Sequence, residues 1–223
     1  MRWVFLIVTA TAGFRHESIE VAEQVLAELA APRGIELVFA RTEDEMRTRL
    51  TPDALRGVHA VMFVNTTGEL PAEPREALLR WVSRGGTFAG VHSASDTWHS
   101  SPEYIEMLGA EFVTHPPDFV ATIVVEDANH PATQSLPTPH SMLEEIYAFQ
   151  QFDRANVRLL LSLNGTDPVA WEKKHGRGEV LYTALGHRED VWQSAWFRAH
   201  AGGILDWAVA QQKAPSKRRA VRP

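Results

Sequence analysis

The stretch Gly85-Gly86-Thr87-Phe88-Ala89-Gly90-Val91-His92-Ser93-Ala94-Ser95-Asp96-Thr97 decides how the chain folds. Its centre, Thr87 to Val91, is a short apolar run of the kind a parallel sheet buries on both faces. The small and polar residues that follow end the strand abruptly and read as a strand-to-helix elbow. Such an elbow holds one side chain in a strained position above helix-terminal amides, and it needs small neighbours so that the backbone can bend. In working elbows the central residue is Ser or Cys. Here it is His92, and the chain has no cysteine at all. A thiol nucleophile, a disulfide and a thiolate metal site are therefore ruled out. An imidazole at this place serves as a base or a metal ligand rather than as a nucleophile.

Outward from the elbow, strand and helix alternate. A helix is expected at Pro71 to Ser83, with proline in its first turn and Gly85-Gly86 past its end. Before it come a strand at Ala60 to Asn65, a segment with helical potential at Glu43 to Leu55, and a strand at Ile35 to Ala40. The first strand, Arg2 to Thr9, ends in a turn at Thr11 to His16; from Glu17 the spacing of Ile19, Ala22, Leu26 and Leu29 is helical until Pro32-Arg33-Gly34. This rhythm implies right-handed βαβ crossovers and a parallel sheet with helices on both faces. The second half reads as strands at Thr122 to Glu126, Ile146 to Phe152, Arg158 to Leu163, Ala170 to Lys173 and Val180 to Leu185, then a helix at Trp192 to Ala210. No Pro/Ser/Gly linker interrupts it, so the expectation is one α/β domain over residues 1–211 with an antiparallel extension, followed by a basic, disordered tail at 212–223.

A length of 223 residues with 44% apolar content suits one large domain with its own core. The formal charge is −6, but Lys213, Lys217, Arg218, Arg219 and Arg222 are five cations at the end, which leave −11 on the remainder. That argues against nucleic acid as a partner. No apolar run reaches the roughly 18 residues of a membrane span, and the opening residues are expected to form a buried strand rather than a signal peptide. A cytoplasmic location is expected.

In open parallel sheets ligands bind beyond the carboxyl ends of the strands. The residues there are Thr9, Thr11, Arg15 and His16, then Asn65, Thr66, Thr67 and Glu69, then His92, Ser93, Ser95 and Asp96, and finally Gly186, His187, Arg188 and Glu189. His92 and His187, each closing a central strand, are the expected acid/base pair, oriented by Asp96 or Glu189. His16 with Ser18 is placed to cap the helix that starts near Glu17. His115, before Pro116-Pro117, is a candidate for the same crevice, whereas His59, His99, His140, His175 and His200 are assigned to surface or packing and His130 to a turn. His16, His92, His115 and His187 with Asp96, Glu69 or Glu145 supply enough donors for a divalent metal such as zinc, manganese or nickel, although no HxH or HExxH spacing ties them together. Trp98, Trp171 and Tyr147 are candidates to stack on a sugar ring, with Arg15, Asp96 and Glu145 for its hydroxyls. Trp192, Trp196 and Trp207 are expected in the core.

Six segments together resemble the ThuA-like, or trehalose-utilisation, family. They are Thr11-Ala12-Gly13-Phe14-Arg15-His16-Glu17-Ser18-Ile19, the elbow stretch, Leu108-Gly109-Ala110-Glu111-Phe112 with His115-Pro116, His130-Pro131, Glu144-Glu145-Ile146-Tyr147, and Ala184-Leu185-Gly186-His187. The resemblance implies a flavodoxin-like sheet of the class I glutamine amidotransferase type, with His92 where those enzymes carry their nucleophilic cysteine and His187 with Glu189 at the positions of their His and acid. Without a thiol no thioester forms, so glutaminase activity is not expected. The resemblance further implies breakdown of a disaccharide or glucoside in a pathway where sugars are oxidised to 3-keto derivatives. An isomerase, lyase or hydrolase acting on a small-molecule carbohydrate is the leading expectation. A non-catalytic sugar-binding or regulatory module is the alternative, and a homodimer or a sugar dehydrogenase is the partner to test for.

Overall fold

The apolar runs of the first half form β1 (Trp3–Val8), β2 (Ile35–Ala40), β3 (Ala60–Val64) and β4 (Thr87–Val91), joined by α1 (Ile19–Ala30), α2 (Glu43–Arg49) and α3 (Ala72–Ser83). Every residue of β3 and β4 is buried, which is why these strands read as continuous rather than alternating hydrophobic runs. The second half supplies α4 (Pro102–Leu108), β5 (Glu111–Thr114), β6 (Phe119–Val125), β7 (His140–Glu144), β8 (Ala148–Gln150), β9 (Arg158–Leu163), β10 (Asp167–His175), β11 (Gly178–Thr183), α5 (Glu189–Gln193) and α6 (Ala195–Lys213). These elements come from a computed structural model that describes residues 2–213. The remainder of the expected basic tail, 214–223, lies outside the described residues.

One large sheet runs in the order β2-β1-β3-β4-β11-β10-β9-β6-β7. Its first five strands pair in parallel. With β11 in fifth place, this is the 2-1-3-4-5 order of a flavodoxin-like doubly wound sheet. β10, β9, β6 and β7 continue it with antiparallel pairings, the expected extension. The chain leaves β1 for one edge and returns to β3 on the other side, a reversal of strand order at whose carboxyl ends ligands bind in sheets of this kind. Among the described residues no helix is long and apolar enough to cross a membrane.

Several expected boundaries move. The segment at 43–55 is helical only to Arg49 and then turns, with Pro52 just beyond. The strand expected at 146–152 shortens to β8, which pairs with β5 in a separate small sheet. The last helix is two helices, because Ser194 adopts an extended backbone between α5 and α6. α6 runs through Lys213, past the expected tail boundary, and Gln212 donates to the carbonyl of His59 and the hydroxyl of Thr87. Ser18 does not cap α1 with its side chain; its hydroxyl turns instead toward the carbonyl of Gly186. Trp192, Trp196 and Trp207 are buried as expected.

His200 of α6 is fully buried, with Nδ1 2.8 Å from the Ala132 carbonyl and Nε2 3.1 Å from the Thr183 hydroxyl. Burial pushes its pKa from 6.5 down to about 4. As the pH falls from 6.5 toward 4, the unfolded chain takes up a proton at this residue and the folded chain does not. The ring's contribution is thus complete above 6.5 and is lost on acidification, with a slope of at most about 1.4 kcal/mol per pH unit. His200→Gln is expected to cost about 1–3 kcal/mol at pH 7, and its gap from the wild type in urea midpoint should narrow steadily toward pH 4.5. A gap independent of pH would contradict this.

Candidate functional site

β4 ends at Val91, and His92 opens a 3-10 turn over His92–Asp96 with φ of +51°, the left-handed conformation an elbow requires of its central residue. The neighbours must be small here. A Cβ on Gly90 would stand 3.0 Å from Leu108 Cδ1 and 3.1 Å from Ala94 Cβ. The Tyr182 hydroxyl, reaching across from β11, donates to the His92 carbonyl at 2.7 Å and steadies the turn. His187 arrives through Gly186, whose φ of +109° only glycine adopts readily. The Gly186 amide donates to Oε2 of Glu144 at 2.9 Å, and its carbonyl accepts from Asn65 Nδ2 at 3.0 Å. Asn65 also donates to the Ser18 hydroxyl at 2.9 Å, so the loops after β1, β3 and β11 are tied together.

Four side chains converge where these loops meet. His16, His92, His187 and Glu145 each offer one donor atom, and these atoms all lie within 4.8 Å of one another. His92 Nδ1 is 2.8 Å from the Ala184 carbonyl, an acceptor only, so Nδ1 carries a proton and Nε2 is the nitrogen that faces the cluster. Nε2 lies 3.2 Å from His187 Nδ1, 3.5 Å from Glu145 Oε1 and 2.9 Å from the Tyr147 hydroxyl. The His16 ring stands edge-on to both His92 and His187, and its Nδ1 is 3.4 Å from the Ser93 hydroxyl. The second oxygen of Glu145 is 2.9 Å from His115 Nδ1.

Burial and mutual repulsion lower the pKa of two of the imidazoles, His16 and His187. His16 is pushed down to about 3, first by burial and then by His92, His187 and His115. His187 is lowered by burial and by His92, with Glu145 opposing. Burial tends to raise the Glu145 carboxyl, but the surrounding imidazoles outweigh it and hold the group below the ordinary value. Burial keeps the Tyr147 hydroxyl protonated and therefore a donor. Glu144, completely buried, is raised to about 7 by desolvation, even though it accepts from the amides of Gly186 and Glu145.

His16, His92, Ser93, His115, Glu145, Tyr147 and His187 are thus brought together. The expected orienting carboxylates are not among them. Asp96 turns away to His99 at 2.7 Å, and Glu189 is exposed at the start of α5; Ala184 and Glu145 occupy the places expected of them. Glu69 holds the 98–101 loop through Ser100, and Thr67 donates to the Phe14 carbonyl. Arg15 is exposed and reaches the Thr9 carbonyl. Trp98 and Trp171, expected to stack on a sugar ring, are both fully buried. Their indole nitrogens donate to the Leu70 and Leu108 carbonyls, so neither ring is free to stack on a sugar. Glu144 carries no role in the sequence reading, and Asn65 is placed there only as a residue at a strand end. Two adjacent glutamates in an apolar setting are the available signal for the first.

Two clefts flank the cluster. One, of about 390 Å³, is lined by Phe14, His16, His187 and the start of α5. The other, of about 600 Å³, is lined by Tyr147, Phe119, Phe149 and Phe152 among others. With Trp98 and Trp171 in the core, the exposed ring of Phe14 is the aromatic face presented to the first cleft.

Residues 4–208 match the family model ThuA, described as trehalose utilisation. A ThuA-like protein from Bacteroides uniformis superposes with a TM-score of 0.77 at 20% identity, covering 93% of this chain and 91% of that one. A second, from Parabacteroides merdae, gives 0.73 at 16% identity over 93% and 90%. A GMP synthase protein from Thermoplasma acidophilum shares the fold with a TM-score of 0.58, 13% identity and coverage of 96% and 97%. No curated protein matches the chain.

Glu144 anchors the turn that delivers His187. Glu144→Ala should lower the unfolding free energy by about 1–3 kcal/mol for each buried amide left without an acceptor, read as a lower urea midpoint. An unchanged midpoint would show that the turn holds without it.

Proposed function

We propose, for a chain that belongs to the ThuA, or trehalose-utilisation, family, that it is an enzyme of carbohydrate breakdown acting on a disaccharide, glucoside or 3-keto-sugar derivative, with imidazoles moving the protons. The observation that carries this reading is the convergence of His16, His92, His187 and Glu145 at the carboxyl end of the sheet. The flanking clefts fall in the size range of small-molecule sites. A cytoplasmic setting belongs to the same proposal.

Removing a proton beside a sugar ketone needs a base that is neutral at neutral pH and a donor for the oxygen that gains charge. His92 is fully enclosed, whereas the side chains of His187 and His115 are 24% and 41% exposed. Those two are the imidazoles that meet the substrate, and His92 supports them from behind. Glu145 lies between them with one oxygen toward each, so either imidazolium forms beside an anion. Tyr147 is the protonated donor. Glycoside hydrolysis by two carboxylates fits less well, because Glu144 spends its oxygens on backbone amides. With no cysteine, a glutaminase thioester cannot form.

His115→Ala and His187→Ala should each slow turnover of 3-keto-glucosides by about 100-fold or more, with circular dichroism showing that both variants remain folded. Unaltered turnover in both variants would remove the proton-transfer reading. Stabilisation of the wild-type chain by sugar without any product would identify a binding module instead, and ammonia release from glutamine would overturn the exclusion of amidase chemistry.

A further inference from the structure

His92 Nε2, His187 Nδ1 and Glu145 Oε1 are separated by 3.2, 3.5 and 3.5 Å. A tetrahedron whose corners lie about 2.1 Å from its middle has edges of about 3.4 Å, which is the spacing of ligand atoms around a four-coordinate zinc. His92 gives its Nδ1 proton to the Ala184 carbonyl, so Nε2 is the ring nitrogen turned toward the cluster. The Tyr147 hydroxyl, the His187 nitrogen and a carboxylate oxygen surround it. A cation in the middle would meet these nitrogen and oxygen donors at the mutual spacing they already have. His16 brings a fourth donor within 4.8 Å of the others.

We propose that His16, His92, His187 and Glu145 form a binding site for one divalent first-row transition metal, with zinc as the reference ion. Three imidazoles and one carboxylate suit zinc, manganese or nickel, whereas magnesium and calcium prefer oxygen donors throughout. The surrounding groups are those a metal site needs to orient its ligands: the Ala184 carbonyl fixes the tautomer of His92, Ser93 contacts His16, and His115 holds the other oxygen of Glu145. The inference rests on reading the cluster as the active centre. With the ion in place His187 becomes a ligand, and His115, backed by Glu145 Oε2, is the imidazole left to carry protons. A bound ion would supply a Lewis acid for the substrate carbonyl.

The full chain, stripped with EDTA and titrated with Co²⁺, should bind one equivalent, show the visible absorption of a four-coordinate ion and release it to Zn²⁺. Glu145→Gln and His187→Ala should each weaken binding by more than about 100-fold, the loss that even outer partners can reach. His99→Ala, which removes an exposed imidazole elsewhere, should leave binding unchanged, and circular dichroism of the stripped variants checks that they are folded. No uptake by the wild type, or uptake that survives in both folded ligand variants, overturns the site. Uptake without turnover of any keto-sugar would leave the metal site standing and remove the proposed function. Undiminished turnover by a chain that takes up no metal would do the reverse.

Discussion

The hydrogen bond from His92 Nδ1 to the Ala184 carbonyl, 2.8 Å long, is set by the sheet rather than by the side chains around it. β11 pairs with β4 in parallel register, Thr183 beside Val91, so the residue after each strand meets its counterpart across the crevice. That single contact fixes the imidazole tautomer and aims Nε2 at His187, Glu145 and Tyr147. A one-residue slip in the pairing would carry the carbonyl away and reverse the faces of the strand. The two central strands are buried almost throughout and covered by helices, which keeps the register from slipping.

The two halves of the sheet contribute different chemistry. The doubly wound part supplies His16, His92 and His187 from the loops after β1, β4 and β11, where a parallel sheet gathers its carboxyl-end loops. The antiparallel extension returns through β7 to deliver Glu144, Glu145 and Tyr147. Glu144 and Glu145 are adjacent in sequence and opposite in role. One is desolvated and occupied by backbone amides, and the other is held as an anion by the imidazoles it faces. The chain has no cysteine at the elbow, and the space above it is filled by this second set of residues.

The parallel half is legible in the sequence because strands buried on both faces leave long apolar runs, and because glycine, proline and the His92 elbow punctuate them. α4 escapes the sequence reading although Ser101, Pro102 and Gly109 are its start and stop residues; its seven residues are too short for a periodic pattern. β7 escapes it because, lying at the edge of the sheet, it alternates weakly and contains His140 and Glu144. Of the site, the histidines after strands are legible and their partners are not. Asp96 and Glu189 are suggested by nearness in sequence, whereas His92 takes its orientation from a backbone carbonyl that no side-chain pattern marks. Trp98 and Trp171 show the same limit, since local composition cannot tell a tryptophan that faces a ligand from one that closes the core.

The geometry around His92 Nε2 suits a cation among His92, His187 and Glu145. Anomalous diffraction at the zinc edge, from crystals of this chain grown with zinc, tests it most directly. One strong peak is expected about 2.1 Å from His92 Nε2, His187 Nδ1 and Glu145 Oε1, with the Tyr147 hydroxyl displaced from Nε2. A cluster without a peak, with the Tyr147 hydroxyl still on Nε2, would contradict it.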